Sequence, residues 1–335
     1  MSGEIIPFAD RIVGMIEQAR QKALQSVNAE LITLYWNVGK YLSEESAKSS
    51  WGDAFIDDTA KYIKENYSGI KGFNRRGLYR MRQFYETYKG NKFVSALLTQ
   101  ISWTNHLLIM SGAKDIEEKE FYMALCTREK YSSRELERQI ESSYYQRYML
   151  STQTLALADV PHSENMRFLD SYVLEFLDLP AKYSEDDFRN AIVQNLRNFI
   201  LEIGRDFAFI GDEYRVQVAN SDWHIDLLFH HRGLQCLVAF ELKIGKFRPE
   251  YISKMDFYLE ALDREHKKPN ENPSIGVILC ASKEDEVVEY AMSRSLSPTM
   301  VAEYKLKLID KALLEQKLHE FKNLLIENSG YYKEE

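Results

Sequence analysis

The 335-residue chain has only three cysteines, and they lie far apart, at positions 126, 236 and 280. None of them forms a C-x-x-C pair, which argues against a disulfide framework and against a structural zinc site. Glycine and proline are also scarce, with 15 and 7 residues, which excludes collagen-like architecture and favours helices. No apolar run approaches the roughly 18 residues that span a bilayer, and the N-terminus lacks the apolar segment of a signal peptide. These absences predict a cytoplasmic protein that binds no membrane.

The formal net charge is −8, but the charges are unevenly distributed along the chain. Residues 1–150 carry 21 Lys and Arg against 19 Asp and Glu, whereas residues 151–335 carry 22 against 32. Within the first half, residues 71–92 contain seven Lys and Arg and a single Glu. Local charge matters more than total charge for a polyanionic partner. The acidic total therefore does not exclude nucleic acid as a partner.

A chain of this length is expected to form two domains, and residues 1–150 show helical patterns. Asn28 could cap a helix with apolar residues at helical spacing, and Asn74 could cap a helix over residues 75–88. Ser132 and Glu135 have the spacing of a capping box. These signals predict an all-α N-terminal domain over residues 1–150.

Residues 151–165 are polar and aperiodic, which predicts a linker before a second domain at residues 166–335. The pattern there becomes mixed, with apolar strand-like runs between helical ones. A helix is expected from about Ser184 to Ile203. Strands are expected at 207–210, 213–218, 222–230, 234–242, 274–280 and 300–304, and further helices at 249–265, 284–293 and the C-terminus. This order predicts an α/β domain with a mixed sheet flanked by helices.

Three ionisable residues stand out in this domain because they lie on apolar strands. Glu241 and Lys243 fall on one face of their strand, since side chains alternate with a period of two. Asp226 lies within the preceding apolar strand, where a lone carboxylate is costly unless it is paired or binds a metal. A hairpin around residues 232–233 would place Asp226 beside Glu241. Two adjacent carboxylates favour a divalent cation, and oxygen ligands suit Mg²⁺.

Asp226, followed after 14 residues by Glu241-Leu242-Lys243, resembles the PD-(D/E)XK nuclease signature. Glu202, at the edge of the apolar face of the predicted helix 184–203, matches the acidic residue of the first helix in that signature. More narrowly, the chain resembles the bacterial YhcG-like proteins, a PD-(D/E)XK family with an N-terminal helical DNA-binding domain. The stretches that carry this likeness are LYWNVGKYL (34–42), GFNRRGLYRMRQFY (72–85), ISWTNHLLIM (101–110), LEIG-x2-FAFIG (201–211), IDLLFHHR (225–232), LVAFELKIGKFRPEY (237–251), KMDFYLEALD (254–263) and NPSIGVILC (272–280).

The resemblance implies a restriction-endonuclease-like fold and metal-assisted phosphodiester hydrolysis, and it favours a DNA endonuclease. Asp226, Glu241 and the Leu242 carbonyl would hold Mg²⁺, with Mn²⁺ as a substitute. Lys243 would orient the attacking water or neutralise the transition state. Glu202 would be a further catalytic acid, through a second metal or through water.

The predicted helix 75–88 offers a nucleic-acid-binding surface. Arg76 and Arg80 share a face with Gln83, and Arg75 and Arg82 lie on its flanks. Arginine suits phosphates and guanine edges, and an Arg-rich helix among short helices resembles the recognition helix of a helix-turn-helix. DNA is the expected partner, with RNA as an alternative, and Lys254 is a further candidate for contacting phosphate.

Three alternatives stay open at this point. Asp226, Glu241 and Lys243 could form a structural salt bridge in a non-catalytic nucleic-acid-binding protein. The arginines of helix 75–88 could be a solvated or acid-paired face of a regulatory subunit that binds another protein. A homo-oligomer is a further open alternative, since a second copy would let each molecule cut one strand of a duplex.

Overall fold

The computed structural model describes residues 6–48, 54–151, 168–293, 295 and 297–330. The chain divides into two compact units, Met1–Ile140 and Glu141–Glu335. The predicted linker, residues 151–165, lies outside the described residues except for Ser151. No described helix combines the length and the apolar character needed to cross a bilayer.

The described part of the N-terminal unit is entirely helical, as predicted. Its helices are α1 (Ile6–Lys48), α2 (Ala54–Asn66), α3 (Arg75–Tyr88), α4 (Lys92–Leu97), α5 (Trp103–Gly112), α6 (Ile116–Glu129) and α7 (Ser133–Glu141). Two predicted caps are confirmed: the Asn74 side chain accepts the Gly77 N–H at 2.9 Å, and Glu135 accepts the Ser132 N–H at 2.8 Å.

The start of α1 differs from the prediction. Asn28 is not a cap but an interior residue of a helix that begins at Ile6, and its side-chain amide donates to the carbonyls of Thr99 and Ile101 at 2.9 and 3.1 Å. Helix α3 packs closely on α1 at Gly39, where an added Cβ would lie 2.0 Å from the Met81 carbonyl oxygen. This crossing orients α3 against the core of the unit.

The second unit is an α/β fold, which confirms the predicted class. Its elements are α8 (Tyr144–Leu150), β1 (Ser171–Val173), α9 (Glu185–Gln194), α10 (Leu196–Ile203), β2 (Phe207–Val218), β3 (Ser221–His231), β4 (Cys236–Lys246), α11 (Glu250–Glu265), β5 (Ile275–Ser282), α12 (Asp285–Met292), β6 (Thr299–Lys305) and α13 (Lys311–Gly330). The sheet has the order β1-β6-β5-β4-β3-β2. Strands β2, β3 and β4 are antiparallel, and β4, β5, β6 and β1 are parallel.

Two local features depart from the predicted elements. The helix expected over 184–203 is two helices, because Asn195 leaves helical geometry between α9 and α10 at φ −109° and ψ 27°. The two strands expected at 207–210 and 213–218 form one strand, β2, whose register with β3 shifts between Phe209 and Gly211. Glu213 within it has a φ of 45°, in the left-handed region.

Both faces of the sheet are apolar near its centre. On one face, Phe199 of α10 packs on Phe229 and Phe240. On the other face, Met255 of α11 belongs to a buried cluster that includes Ala239 of β4. Strand β4 is therefore buried on both sides. Its ionisable side chains lie at the end where the strand leaves the core.

Candidate active site

Asp226 and Glu241 lie next to each other on β3 and β4, at the end of the hairpin that is away from its turn. The last registered pair of these strands is Leu227 with Phe240. The next residue along each strand is a carboxylate, so the register places Asp226 opposite Glu241. This is the arrangement that the hairpin prediction gives, and it follows from the tight turn before Cys236.

Glu241 is buried and Asp226 is half-buried, and the proximity of the two carboxylates is unfavourable. Burial and, next, the charge of Glu241 raise the pKa of the Asp226 carboxyl to about 6, while the Leu242 N–H acts in the opposite direction. That N–H donates to Asp226 Oδ2 at 2.6 Å. Glu241 is 1% exposed, and its Oε2 has no hydrogen-bond partner among the described residues. A buried carboxylate oxygen without a donor is suited to contact a cation.

Two lysines lie against the other oxygen of Glu241. Lys254 of α11 donates to Glu241 Oε1 at 2.5 Å, and Lys243 lies 3.0 Å from the same oxygen. Burial acts against the charged form of Lys243, but Glu241 and Glu185 outweigh it, so the pKa of Lys243 is raised above its ordinary value. The pKa of Lys254 is raised in the same way, since its hydrogen bond to Glu241 outweighs burial. Both side chains are cations at neutral pH.

Sequence reasoning missed one acidic residue of this cluster. Glu185, in the first turn of α9, accepts a hydrogen bond from Lys243 Nζ at 2.9 Å. The signal was present, because Ser184 and Asp187 form a capping box that fixes where α9 begins. A helix that starts there directs its first turn toward the end of β4. Glu185 therefore lies beside Lys243. It precedes Glu202, the helical acidic residue that the sequence predicted for the site, by 17 positions.

Glu202 is the residue that was expected, and the structure places it in a different environment. It is fully buried on α10, where its Oε1 accepts from Arg147 Nη1 at 2.6 Å and from the Val173 N–H at 2.8 Å. The charged groups that shift the pKa of Asp226 are Glu241, Lys243 and Lys254. The prediction for Glu202 assumed one continuous helix over residues 184–203. In the structure this helix is broken at Asn195, so the direction of Glu202 differs from the predicted one. Glu202 is thus part of a buried ion pair with Arg147, and its predicted catalytic role stays a prediction.

The four arginines of α3 fall into two groups. Arg75 is paired with Asp57 at 2.7 Å, and Arg82 lies 3.9 Å from Glu86; both guanidinium groups lie about 5 Å from the centre of the Tyr79 ring. Arg76 and Arg80 make no ion pair within the described ranges. Arg76 and Arg80 are therefore the two arginines of α3 whose charge is not already paired with an acid in the described part of the chain.

The residues at the end of β4 fit a divalent metal ion. Carboxylates and a backbone carbonyl are hard oxygen ligands, which Mg²⁺ prefers. The Leu242 N–H points toward Asp226, and the carbonyl of a strand residue points to the same side as its N–H. No three His, Cys, Asp or Glu side chains in the described part of the chain form a metal site by themselves.

Solved structures show weak overall likeness to the chain. They include a repair endonuclease from Pyrococcus abyssi, with a TM-score of 0.26 and 19% identity over 39% of this chain and 50% of that one. They also include a complex of EndoMS with double-stranded DNA, with a TM-score of 0.26 and 17% identity over 40% of this chain and 48% of that one. The chain thus spans about half the length of these solved structures.

Sequence families cover most of the chain. Residues 11–147 match the DUF1016 N-terminal domain, and residues 165–319 match the YhcG PDDEXK nuclease domain. The chain is 31% identical to the protein of Escherichia coli (strain K12) named "Putative nuclease YhcG", over 92% of both sequences. The Asp226–Glu241–Lys243 cluster lies inside the matched nuclease domain. On this agreement of sequence, fold and family match, the chain belongs to the YhcG family of PD-(D/E)XK nuclease-domain proteins.

Proposed function

We propose that the protein is a Mg²⁺-dependent endonuclease that hydrolyses phosphodiester bonds in DNA. The observation that carries this proposal is the carboxylate pair of half-buried Asp226 and buried Glu241, with Glu241 Oε2 without a hydrogen-bond partner among the described residues and Lys243 alongside. The nuclease family of the chain supports the same chemistry.

Asp226, Glu241 and the Leu242 carbonyl would hold the metal. When bound, Mg²⁺ lowers the pKa of a coordinated water and stabilises charge on the phosphoryl oxygens, and Mn²⁺ would substitute for it. The Leu242 N–H has a separate function, because its bond to Asp226 Oδ2 fixes the carboxylate and leaves Oδ1 available. A rigid first ligand restricts where the scissile phosphate can lie.

Lys243 acts as a donor and not as a base. Its raised pKa keeps it protonated, so it has no free electron pair with which to accept a proton from water. An ammonium group has three donors, and Glu241 and Glu185 use two of them. The third would orient the attacking water or contact a phosphoryl oxygen. Glu185 then acts as a positioning residue, because it holds Lys243 from the side opposite Glu241.

Lys254 is proposed to contact the phosphate backbone next to the site. Its side chain is 39% exposed while its ammonium group reaches Glu241. One ammonium group can therefore contact both Glu241 and a phosphate that approaches from solvent.

A plasmid-nicking assay tests the proposal. We expect wild type to convert supercoiled plasmid to nicked or linear forms with Mg²⁺ and to be inactive in EDTA. Lys243→Met should lower the cleavage rate by about 10²-fold or more, since it removes a donor that contacts developing charge. Lys246→Met is the matched control on the same strand, because Lys246 is exposed and paired with Glu284, and it should cleave like wild type.

Equal loss of activity in Lys243→Met and Lys246→Met would refute the assignment of Lys243. Wild-type cleavage that persists in EDTA would refute metal dependence. Degradation of RNA at the same rate as DNA would replace the proposed substrate with nucleic acid of either kind.

Arg76 and Arg80 of α3 are proposed to bind the DNA backbone. Arg76→Gln combined with Arg80→Gln should weaken DNA binding at least about tenfold and lower the slope of log K against log salt by about 2, because two phosphate contacts are lost. Arg75→Gln combined with Arg82→Gln changes charge equally but removes arginines that already contact acids, and should change the slope less. Fluorescence anisotropy at several salt concentrations measures both. Equal slopes for the two double variants would remove the special role of Arg76 and Arg80.

A further inference from the structure

Helix α1 extends far beyond the part of it that packs in the N-terminal unit. It has 43 residues, which corresponds to about 65 Å at 1.5 Å per residue. Its buried residues, such as Ile32 and Leu42, belong to the C-terminal half. Every residue from Arg11 to Val27 is exposed. About 17 residues of helix therefore have no neighbour within the described structure, although an isolated helix of that length is marginally stable in water.

This exposed segment carries an apolar stripe that continues along the packed half of the helix. Leu24 and Val27 are 70% and 66% exposed, and the stripe as a whole consists of Val13, Ile16, Leu24, Val27, Leu31, Leu34 and Tyr41. At 100° per residue the centre of the stripe lies about 120° from the positions of Ile32 and Gly39, while Leu42 falls at the same angle as Leu24. The stripe is thus a second apolar face that adjoins the one packed on α3. An exposed apolar surface of this length indicates an interaction site.

We infer that the stripe binds a second copy of the same chain, with the two α1 helices antiparallel and crossing near Gln25. The charges favour this occupant and this direction. Arg20 interrupts the apolar stripe and Glu30 borders it, five positions on either side of Gln25. A two-fold axis at Gln25 places Arg20 opposite the partner's Glu30, and Glu30 opposite the partner's Arg20. Ile16 then faces the partner's Leu34.

A parallel pair would instead place Arg20 against its own copy within an apolar seam, and like charges there are destabilising. The antiparallel register also places Ile16, in the exposed half of the stripe, opposite the partner's Leu34, so that each exposed half covers a packed half. The same surface therefore serves both copies, as an isologous two-fold contact requires.

The size of the contact sets the expected strength of the dimer. An overlap of residues 12–38 spans about 40 Å, and a helix is about 11 Å wide. The two helices together then cover on the order of 900 Å². That lies just below the roughly 1,200 Å² at which stable specific interfaces begin. We therefore expect a dimer that dissociates in the micromolar range.

Sedimentation velocity of the full chain between about 1 and 100 µM tests the inference. Wild type should shift with concentration from the 39.2 kDa monomer toward twice that mass. Arg20→Glu and Glu30→Arg should each stay monomeric at concentrations where wild type is dimeric. An equimolar mixture of the two variants should dimerise like wild type, because the acidic side chains at positions 20 and 30 of the first variant then face the basic side chains at positions 30 and 20 of the second.

Lys22→Glu is the matched control, since Lys22 lies on the opposite side of the same exposed segment and the charge change is identical. Circular dichroism shows whether each variant keeps its helix content. A wild type that stays monomeric throughout overturns the inference and assigns the stripe to a different partner. Dimers of Arg20→Glu as strong as those of wild type, or a mixture that stays monomeric, also overturn it. These readouts do not depend on cleavage, so failure here leaves the proposed nuclease activity unaffected.

Discussion

Asp226→Asn is expected to abolish plasmid cleavage and at the same time to stabilise the folded protein. Cleavage should fall at least about 10³-fold, because an amide replaces an anionic metal ligand. The folded state gains stability because Asn is neutral beside Glu241. Its side-chain oxygen can still accept the hydrogen bond from the Leu242 N–H that Asp226 accepts in wild type. Its NH₂ group can also donate to Glu241, whose Oε2 has no partner among the described residues. Thermal melts in EDTA measure the gain.

The sign of this stability change follows from the pKa of Asp226. Burial and Glu241 raise that pKa from 3.8 to about 6 in the folded state. The folded protein therefore binds this proton more tightly than the unfolded chain does, and wild type loses stability as the pH rises from about 4 to 6. A shift of about two pKa units corresponds to about 3 kcal/mol of lost stability in wild type. The Asn variant recovers only part of this free energy, because its side-chain amide is also desolvated on folding. We expect a rise in Tm of about 3–6 °C at pH 8, which disappears toward pH 4.

Asp222→Asn is the control for this prediction. Asp222 lies on the same strand but is exposed and pairs with Arg215, so it should change neither cleavage nor Tm by much. An Asp226→Asn protein that is less stable than wild type at pH 8 would contradict the electrostatic description of the carboxylate pair.

Arg147→Met is expected to produce the largest loss of stability. Arg147 and Glu202 are almost completely buried, with their side chains 1% and 0% exposed. Removing Arg147 leaves the Glu202 carboxylate buried without its counterion, which typically costs about 3–5 kcal/mol. In a unit of this size that corresponds to a fall in Tm of roughly 10 °C. Combining Arg147→Met with Glu202→Gln should recover a large part, since a neutral Gln can still accept the Val173 N–H.

The same variants separate a structural role of Glu202 from a catalytic one. Glu202→Gln alone should lower Tm and leave most of the cleavage activity at a temperature where the protein is folded. If Glu202→Gln loses cleavage while its Tm is unchanged, Glu202 has a catalytic role. A double variant that is no more stable than Arg147→Met would show that the loss comes from the other hydrogen bonds of Arg147, which it donates to Ser142 and Ser171.

Local patterns of the sequence predicted most of the second unit. The period of two on β3 and β4 and the tight turn between them determine the β3–β4 register, and that register brings Asp226 and Glu241 together. In the first unit, the caps at Asn74 and Ser132 predicted helices, because each is a local contact between a side chain and a nearby backbone N–H. The fold class follows from the order of these elements.

The residues that were missed depend on contacts between distant parts of the chain. Nothing local marks Asn195 as the break between α9 and α10, and without it Glu202 falls beside the apolar face of a continuous helix. The partner of Glu202 is Arg147, 55 positions earlier, which no spacing rule connects to it. Asn28 has the residue type of a cap, but its contacts with Thr99 and Ile101 keep it inside α1. Sequence reasoning therefore predicted that Asp226 and Glu241 lie side by side, but it gave no sign of the ion pair between Glu202 and Arg147.

Calorimetric titration of Mn²⁺ tests the central claim, that Asp226 and Glu241 share a divalent cation. Wild type without nucleic acid should bind Mn²⁺, and Mg²⁺ should compete for the same site. Asp226→Asn should show no heat at the same concentrations, while Asp222→Asn should bind like wild type. Binding of Mn²⁺ to Asp226→Asn with wild-type affinity would contradict the account.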